Sequence, residues 1–386
     1  MKIDMRYIWL DLVRGLAAVA VCASHLRNGL IVDYGQYSAL QEPNIAQKVF
    51  YFSTGLGHQA VIIFFVLSGF FVGSSIIKNV KRFNFTKYMI TRLSRLWIVL
   101  IPALILTAIV DSILMSHSPE ILSGTYNPVS NSLPSLGKYS SSWSTFFGNI
   151  FFLQGMLTPV FGTNGPLWSL ANEFWYYILF PLLLITVGKC GANIEIRYRF
   201  ITLTLVLGIC LTIPIDILEY FFIWLMGVGV FLLTQKLQVK SNVYFIALAF
   251  GIFLASLIYS KLDSLNKIWI DADFVVALGF SILCFFLSNK NKAQYSFNKL
   301  IQNLSVNLSN ISYSIYLSHF PFVVLIIAFG FKMERITPNA TGVVIYSLWL
   351  ISLICVGSIF WYLFERHTYT LKYILLKAFA NYQSKH

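Results

Sequence analysis

Apolar residues along this chain come in blocks of crossing length separated by short polar stretches. That rhythm predicts spans at 8–30, 58–77, 96–115, 167–188, 200–216, 219–235, 242–260, 271–288, 311–331 and 341–364. Each lies near the roughly 20 residues that an α-helix needs to cross a bilayer. A further apolar piece, Trp143 to Leu157, is short and broken by Gly148 and Gly155, which predicts a re-entrant or interfacial segment. No internal repeat of the pattern is visible, which counts against a transporter assembled from duplicated halves. The expected architecture is all-α: a polytopic bundle of about ten transmembrane helices, with residues 1–386 as one integral-membrane domain and no fused soluble domain.

Composition agrees with the pattern. Hydrophobic residues make up 57% of the chain and charged residues 11%; the mean hydropathy is +0.72. A soluble domain carries about 25% charged residues, so that class is excluded. The net charge of +13 is explained by topology before nucleic acid is considered. With the N-terminus placed in the cytoplasm, 20 of the 28 Lys and Arg fall on the inner side. Seven (Arg27, Lys48, Lys138, Lys261, Lys267, Lys332, Arg335) fall outside, and Arg14 lies within the membrane. By the positive-inside rule both termini are expected in the cytoplasm. The five cysteines are scattered without metal-ligand spacing and read as small core residues; no metal is expected. Lys2 and Arg6 precede an apolar run as in a signal peptide, but Asp11 and Arg14 inside that run argue against cleavage.

Two connections change the picture. The outer segment Ser116 to Gly165 is long and rich in Ser, Asn, Gly and Pro, suited to covering an outward-facing pocket. The inner segment Lys78 to Arg95 packs six cations among aromatics. It serves either as a topology anchor on anionic lipid or as a seat for a polyanionic ligand. Arg92 and Arg95, i and i+3 on one helix, suit the bidentate binding of phosphates such as those of coenzyme A.

The first span carries Asp11, Arg14 and His25. At 100° per residue, His25 follows Arg14 by three turns plus about 20°, and Asp11 is offset from His25 by about 40°. The three form one polar stripe along roughly 20 Å of helix. Ionisable groups at membrane depth are costly, so the stripe is either a site or an internal strut. Glu173, about six residues inside the outer boundary of the fourth span, comes to a depth similar to that of His25. A carboxylate near an imidazole fixes its tautomer for general-base work on a hydroxyl.

Arg14 with ten residues before His25, FFVLSGF from Phe64 to Phe70, RLSRL from Arg92 to Leu96, PLWSLANEFWYY from Pro166 to Tyr177, and SYSIYLSHFP from Ser312 to Pro321 occur in order over about 300 residues. Together they resemble acyltransferase family 3, bacterial membrane enzymes that acylate sugars and related acceptors. The resemblance implies transfer of an acyl group, usually acetyl from acetyl-CoA, to a carbohydrate hydroxyl at the bacterial inner membrane. It implies a catalytic role for His25 with Arg14 as its partner, and donor handling by Arg92 and Arg95. Some relatives carry a fused hydrolase-like domain. This chain stops about 20 residues after its last span, so it is expected to work alone or with a separate periplasmic or glycan-assembly partner. Pro102 follows Arg95 by seven residues, a departure that bears on where this helix starts.

The expected site therefore comprises His25, Glu173, Arg14 and Asp11 for chemistry, and Arg92, Arg95, Arg14 and His319 for acetyl-CoA. His319, placed by the span pattern near a cytoplasmic helix end, either lines a donor channel or bonds within the bundle. Trp168, Asn172 and Tyr176 stand as acceptor-binding candidates, although aromatics at that depth also form interfacial belts. Tyr313 and Tyr316 read as packing residues. The expected partners are a carbohydrate or lipid-linked sugar and membrane lipid, not nucleic acid. Two other functions use the same features: secondary transport of an anionic metabolite or glycolipid, and acylation of a small molecule such as a macrolide.

Overall fold

The fold is given by a computed structural model, which describes residues 7–125, 132–190, 195–237, 239, 242–266, 271–288 and 299–383. The helices in chain order are α1 (Ile8–Leu30), α2 (Tyr34–Leu40), α3 (Ile45–Thr54), α4 (Gly57–Ser68), α5 (Ser74–Ile77), α6 (Phe85–His117), α7 (Trp143–Ile150) and α8 (Trp168–Thr186). They continue as α9 (Ile196–Thr212), α10 (Ile215–Lys236), α11 (Val243–Asn266), α12 (Ala272–Ser288), α13 (Lys299–Leu325), α14 (Ala340–Leu363) and α15 (Thr368–Gln383). Among the described residues there is no strand beyond two isolated bridges. Among the described residues, eight helical stretches are long and apolar enough to cross a membrane: Ile8–Leu30, Gly57–Ile77, Phe85–His117, Gly165–Thr186, Ile215–Lys236, Val243–Leu262, Lys299–Gly330 and Ala340–Asn381. The other two expected crossings are α9 and α12, of 17 residues each, at the lower limit for a span. The chain is an all-α polytopic bundle.

Two helices start well before their apolar windows. α6 begins at Phe85, so Arg92 and Arg95 sit inside a continuous helix that runs on through Pro102. α13 begins at Lys299, twelve residues before the expected span, because polar positions such as Asn303, Asn307 and Asn310 continue the helix that hydropathy alone does not register. The Trp143–Leu157 piece is an eight-residue helix followed by a turn in which Phe152 takes φ +60°.

Packing divides the chain into two compact units interleaved in sequence. The first comprises α1 as far as Ala17, His58–Asn84 and Asn172–Asn310; the second comprises Ala18–Gly57, Phe85–Ala171 and the chain from Ile311.

In the first unit, α4 passes through a π-turn at Gly69–Gly73 into α5 and lies close against α10. A Cβ on Gly227 would stand 1.9 Å from the Val66 carbonyl oxygen, so only glycine admits this approach. The Trp224 indole N–H donates to Ser68 Oγ at 3.1 Å. Trp224, Tyr176, Phe70, Phe231 and Phe280 are fully buried.

In the second unit, Val110, Leu114, Ile121, Leu122, Leu133, Phe320, Val324 and Ala328 form the core. The described part of the 116–165 segment is pinned by side chains that bond backbone. Asp111 accepts from the Thr163 amide at 2.9 Å and hydroxyl at 2.6 Å. Asn149 donates to the Thr145 and Pro159 carbonyls and accepts from the Phe161 amide. Gln154 donates to the Leu167 carbonyl at 3.0 Å. The end of α1 is tied to the chain after α13: Ile336 N–H donates to Leu30 O and Val32 N–H to Ile336 O.

Pro321 lies inside α13. Having no N–H, it leaves the Leu317 carbonyl, four residues back, without its helical donor. In a membrane helix a neighbour must supply one, and the Asn164 amide does so at 3.2 Å while also donating to Thr107 Oγ1 at 3.1 Å.

Candidate active site

α1 is continuous from Ile8 to Leu30 and carries Asp11, Arg14 and His25. In the first unit, Arg14 pairs with Asp11 at 3.6 Å and donates to Ser309 Oγ at 3.3 Å. Ser309 in turn donates to Asp11 Oδ1 at 3.0 Å. The guanidinium also stacks over Phe71 at 4.5 Å. Gly15 allows this closure, since a Cβ there would meet Leu308 Cβ at 2.5 Å. Asp11 is 5% exposed, and its charge is held by an ion pair and a hydroxyl, as burial requires.

In the second unit, His25 faces α13. Its Nδ1 lies 2.8 Å from His319 Nε2, and the ring planes are within 2° of parallel with centroids 5.1 Å apart, the arrangement of two rings meeting edge to edge. His319 is fully buried, and its Nδ1 lies 2.8 Å from the Ile315 carbonyl oxygen. Phe320 presents a perpendicular ring to His25 at 5.2 Å and also lines a small apolar recess with Gly29, Val324 and Ile327. His25 itself remains partly exposed.

This geometry changes two expectations. His319 lies beside His25, not near the start of α13: the early start of that helix puts it twenty residues in. The partner at His25 Nδ1 is an imidazole where a carboxylate was expected. Glu173 accepts from the Tyr177 hydroxyl one turn along α8.

The remaining candidates separate by burial. Tyr176 is fully buried, donates to the Ile217 carbonyl at 2.8 Å, and packs against Phe65, Phe221 and Trp224. It is a core residue of the first unit and corrects the expectation of a sugar-stacking ring. Asn172, 3% exposed, hydrogen bonds to Tyr176 and belongs to the same packed cluster. Trp168, by contrast, opens α8 half-buried. Arg95 is exposed, and Arg92 is half-buried over the Tyr88 ring at 5.3 Å. Tyr313 donates to Leu96 O, and Tyr316 donates to Pro166 O and meets Ser169 Oγ at 2.5 Å, joining the RLSRL and PLWSL segments to the SYSIYLSHFP helix.

Three residues that sequence reasoning passed over contribute here. Asn164 and Asp111 hold the 116–165 segment and the proline-containing part of α13. Glu365 accepts from the Ser314 amide at 3.1 Å and hydroxyl at 2.7 Å, five residues before His319. Pro321 was the readable signal for Asn164, because a proline inside a span demands an outside donor.

A helical membrane protein with paired imidazoles on its first and penultimate long spans defines a site suited to proton transfer. An acyltransferase domain family model matches residues 7–362. The chain belongs to that family, acyltransferase family 3, and is a membrane acyltransferase. It is 25% identical over 237 residues, 60% of this chain and 88% of the relative, to an uncharacterized protein of Haemophilus influenzae. No solved structure matches the chain.

Proposed function

We propose that the protein is an O-acetyltransferase of the bacterial inner membrane, with both termini in the cytoplasm. It takes acetyl from cytoplasmic acetyl-CoA and delivers it to a hydroxyl of a cell-surface polysaccharide, lipopolysaccharide or lipid-linked precursor near the outer face. The observation that carries this reading is the imidazole pair of His25 and His319 in a chain of the acyltransferase family.

Arg92 and Arg95 hold the donor phosphates, their spacing suiting a pyrophosphate. His25 removes the proton from the acceptor hydroxyl as its oxygen attacks the thioester carbonyl, and returns that proton to the departing coenzyme A thiolate. The products are the acetyl ester and free coenzyme A thiol. Arg14, Asp11 and Glu173 supply charge in support of this chemistry, and Trp168 is the aromatic left to contact the acceptor.

The test is to incubate protein in nanodiscs with [14C]acetyl-CoA and a panel of lipid-linked and surface glycans. Acceptor-dependent release of free thiol with label in the glycan is expected. Label that crosses a vesicle membrane with the thioester intact would identify a transporter instead.

A further inference from the structure

We infer that His319 is a positioning residue that fixes the proton of His25 on Nδ1, leaving Nε2 of His25 as the bare nitrogen. The order begins at a backbone carbonyl. Ile315 C=O can only accept, so His319 Nδ1, 2.8 Å away, is the nitrogen that carries hydrogen. In a neutral imidazole the other nitrogen is then a lone pair, so His319 Nε2 is an acceptor. The 2.8 Å contact to His25 Nδ1 accordingly requires the hydrogen to sit on His25 Nδ1. The near-coplanar rings place that N–H along the in-plane lone pair of His319. A free imidazole carries no such instruction. Here one α13 carbonyl orders two rings in sequence, and His319, fully buried, has no room to turn over.

Two further contacts hold the element that supplies the order. Asn164 satisfies the Leu317 carbonyl released by Pro321, and Glu365 binds the Ser314 amide and hydroxyl. α13 is therefore held just before the Ile315–His319 turn, at Ser314, and within it, at Leu317.

The catalytic consequence rests on the transfer role proposed above for His25; the tautomer does not. During transfer the proton taken at Nε2 leaves the Nδ1–H bond to His319 in place, so the imidazolium keeps its orientation until the proton is returned.

The test combines a spectroscopic and a kinetic measurement on the full chain in nanodiscs. Protein 15N-labelled at its six histidines, with His25 assigned by a His25→Gln variant, should show His25 protonated at Nδ1 and bare at Nε2. His319→Leu removes the acceptor, and His25 should move to a mixed or Nε2-protonated state. His319→Gln offers a carboxamide oxygen in its place and should retain the Nδ1 proton. In turnover, His319→Leu should lower kcat about 100-fold or more with the KM for acetyl-CoA unchanged, the scale of losing a correctly disposed base. His319→Gln should recover at least about a tenth of the activity. Finding His25 bare at Nδ1 in the unaltered protein overturns the inference, as does an unchanged kcat in His319→Leu. Equal loss in both variants with the His25 tautomer intact also overturns it. If His319→Leu does not fold, the unaltered spectrum and His319→Gln decide alone. Full activity in His25→Ala would remove the proposed function and leave the tautomer assignment standing.

Discussion

The bond from Asn164 to Leu317 exists because Pro321 cannot make its own, and this predicts a specific non-additivity. Replacing Asn164 with Leu strands a buried carbonyl, at a cost of about 1–3 kcal/mol; the Thr107 hydroxyl still donates to Ala103 O at 2.8 Å. Replacing Pro321 with Ala restores an N–H at the position from which the helix bonds Leu317. In that background the Asn164 amide is redundant, so Asn164→Leu should cost less by about 1–2 kcal/mol, within the range of measured couplings between contacting residues. Amide hydrogen exchange across α13 in nanodiscs reads this directly. Asn164→Leu alone should accelerate exchange around Leu317 by about five- to 100-fold, and by far less in the Pro321→Ala protein. If the two substitutions add to within about 0.5 kcal/mol, the proline and the asparagine are independent and the reasoning fails.

The other predictions are more direct. His25→Ala should abolish acetyl transfer while the protein still partitions into membranes; full turnover in membrane assays would remove His25 from the chemistry. Arg92→Ala with Arg95→Ala should raise the KM for acetyl-CoA about tenfold or more, the scale of losing charge-assisted hydrogen bonds, and an unchanged KM would place the phosphates elsewhere. Gly227→Ala puts a Cβ 1.9 Å from the Val66 oxygen and should collapse the yield of monodisperse protein on size exclusion. Gly229→Ala, whose Cβ meets nothing within 4 Å, should not; equal behaviour would mean that α4 and α10 are not in close contact.

The spans were legible because hydropathy measures the property a bilayer selects. Helix starts were not, since Phe85–Arg95 and Lys299–Asn310 are polar enough to leave the window while still favouring helix. That error moved His319 away from its true neighbour. The Asp11–Arg14–His25 stripe followed from periodicity, which fixes faces within a helix but not partners across helices. Neither Ser309 between Asp11 and Arg14 nor His319 against His25 could be read from it. Tyr176 misled because an aromatic residue beside a charged one looks the same in sequence whether its hydroxyl meets a ligand or the Ile217 carbonyl.

Where it is described, the 116–165 segment is held with little regular structure: one carboxylate on α6 and two carboxamides within the segment do the work that strands would do elsewhere. It can therefore be treated as a cassette. Chimeras that retain Asp111, Asn149 and Gln154 with their backbone partners should accept foreign residues at the intervening exposed positions and still fold, leaving the imidazole pair undisturbed.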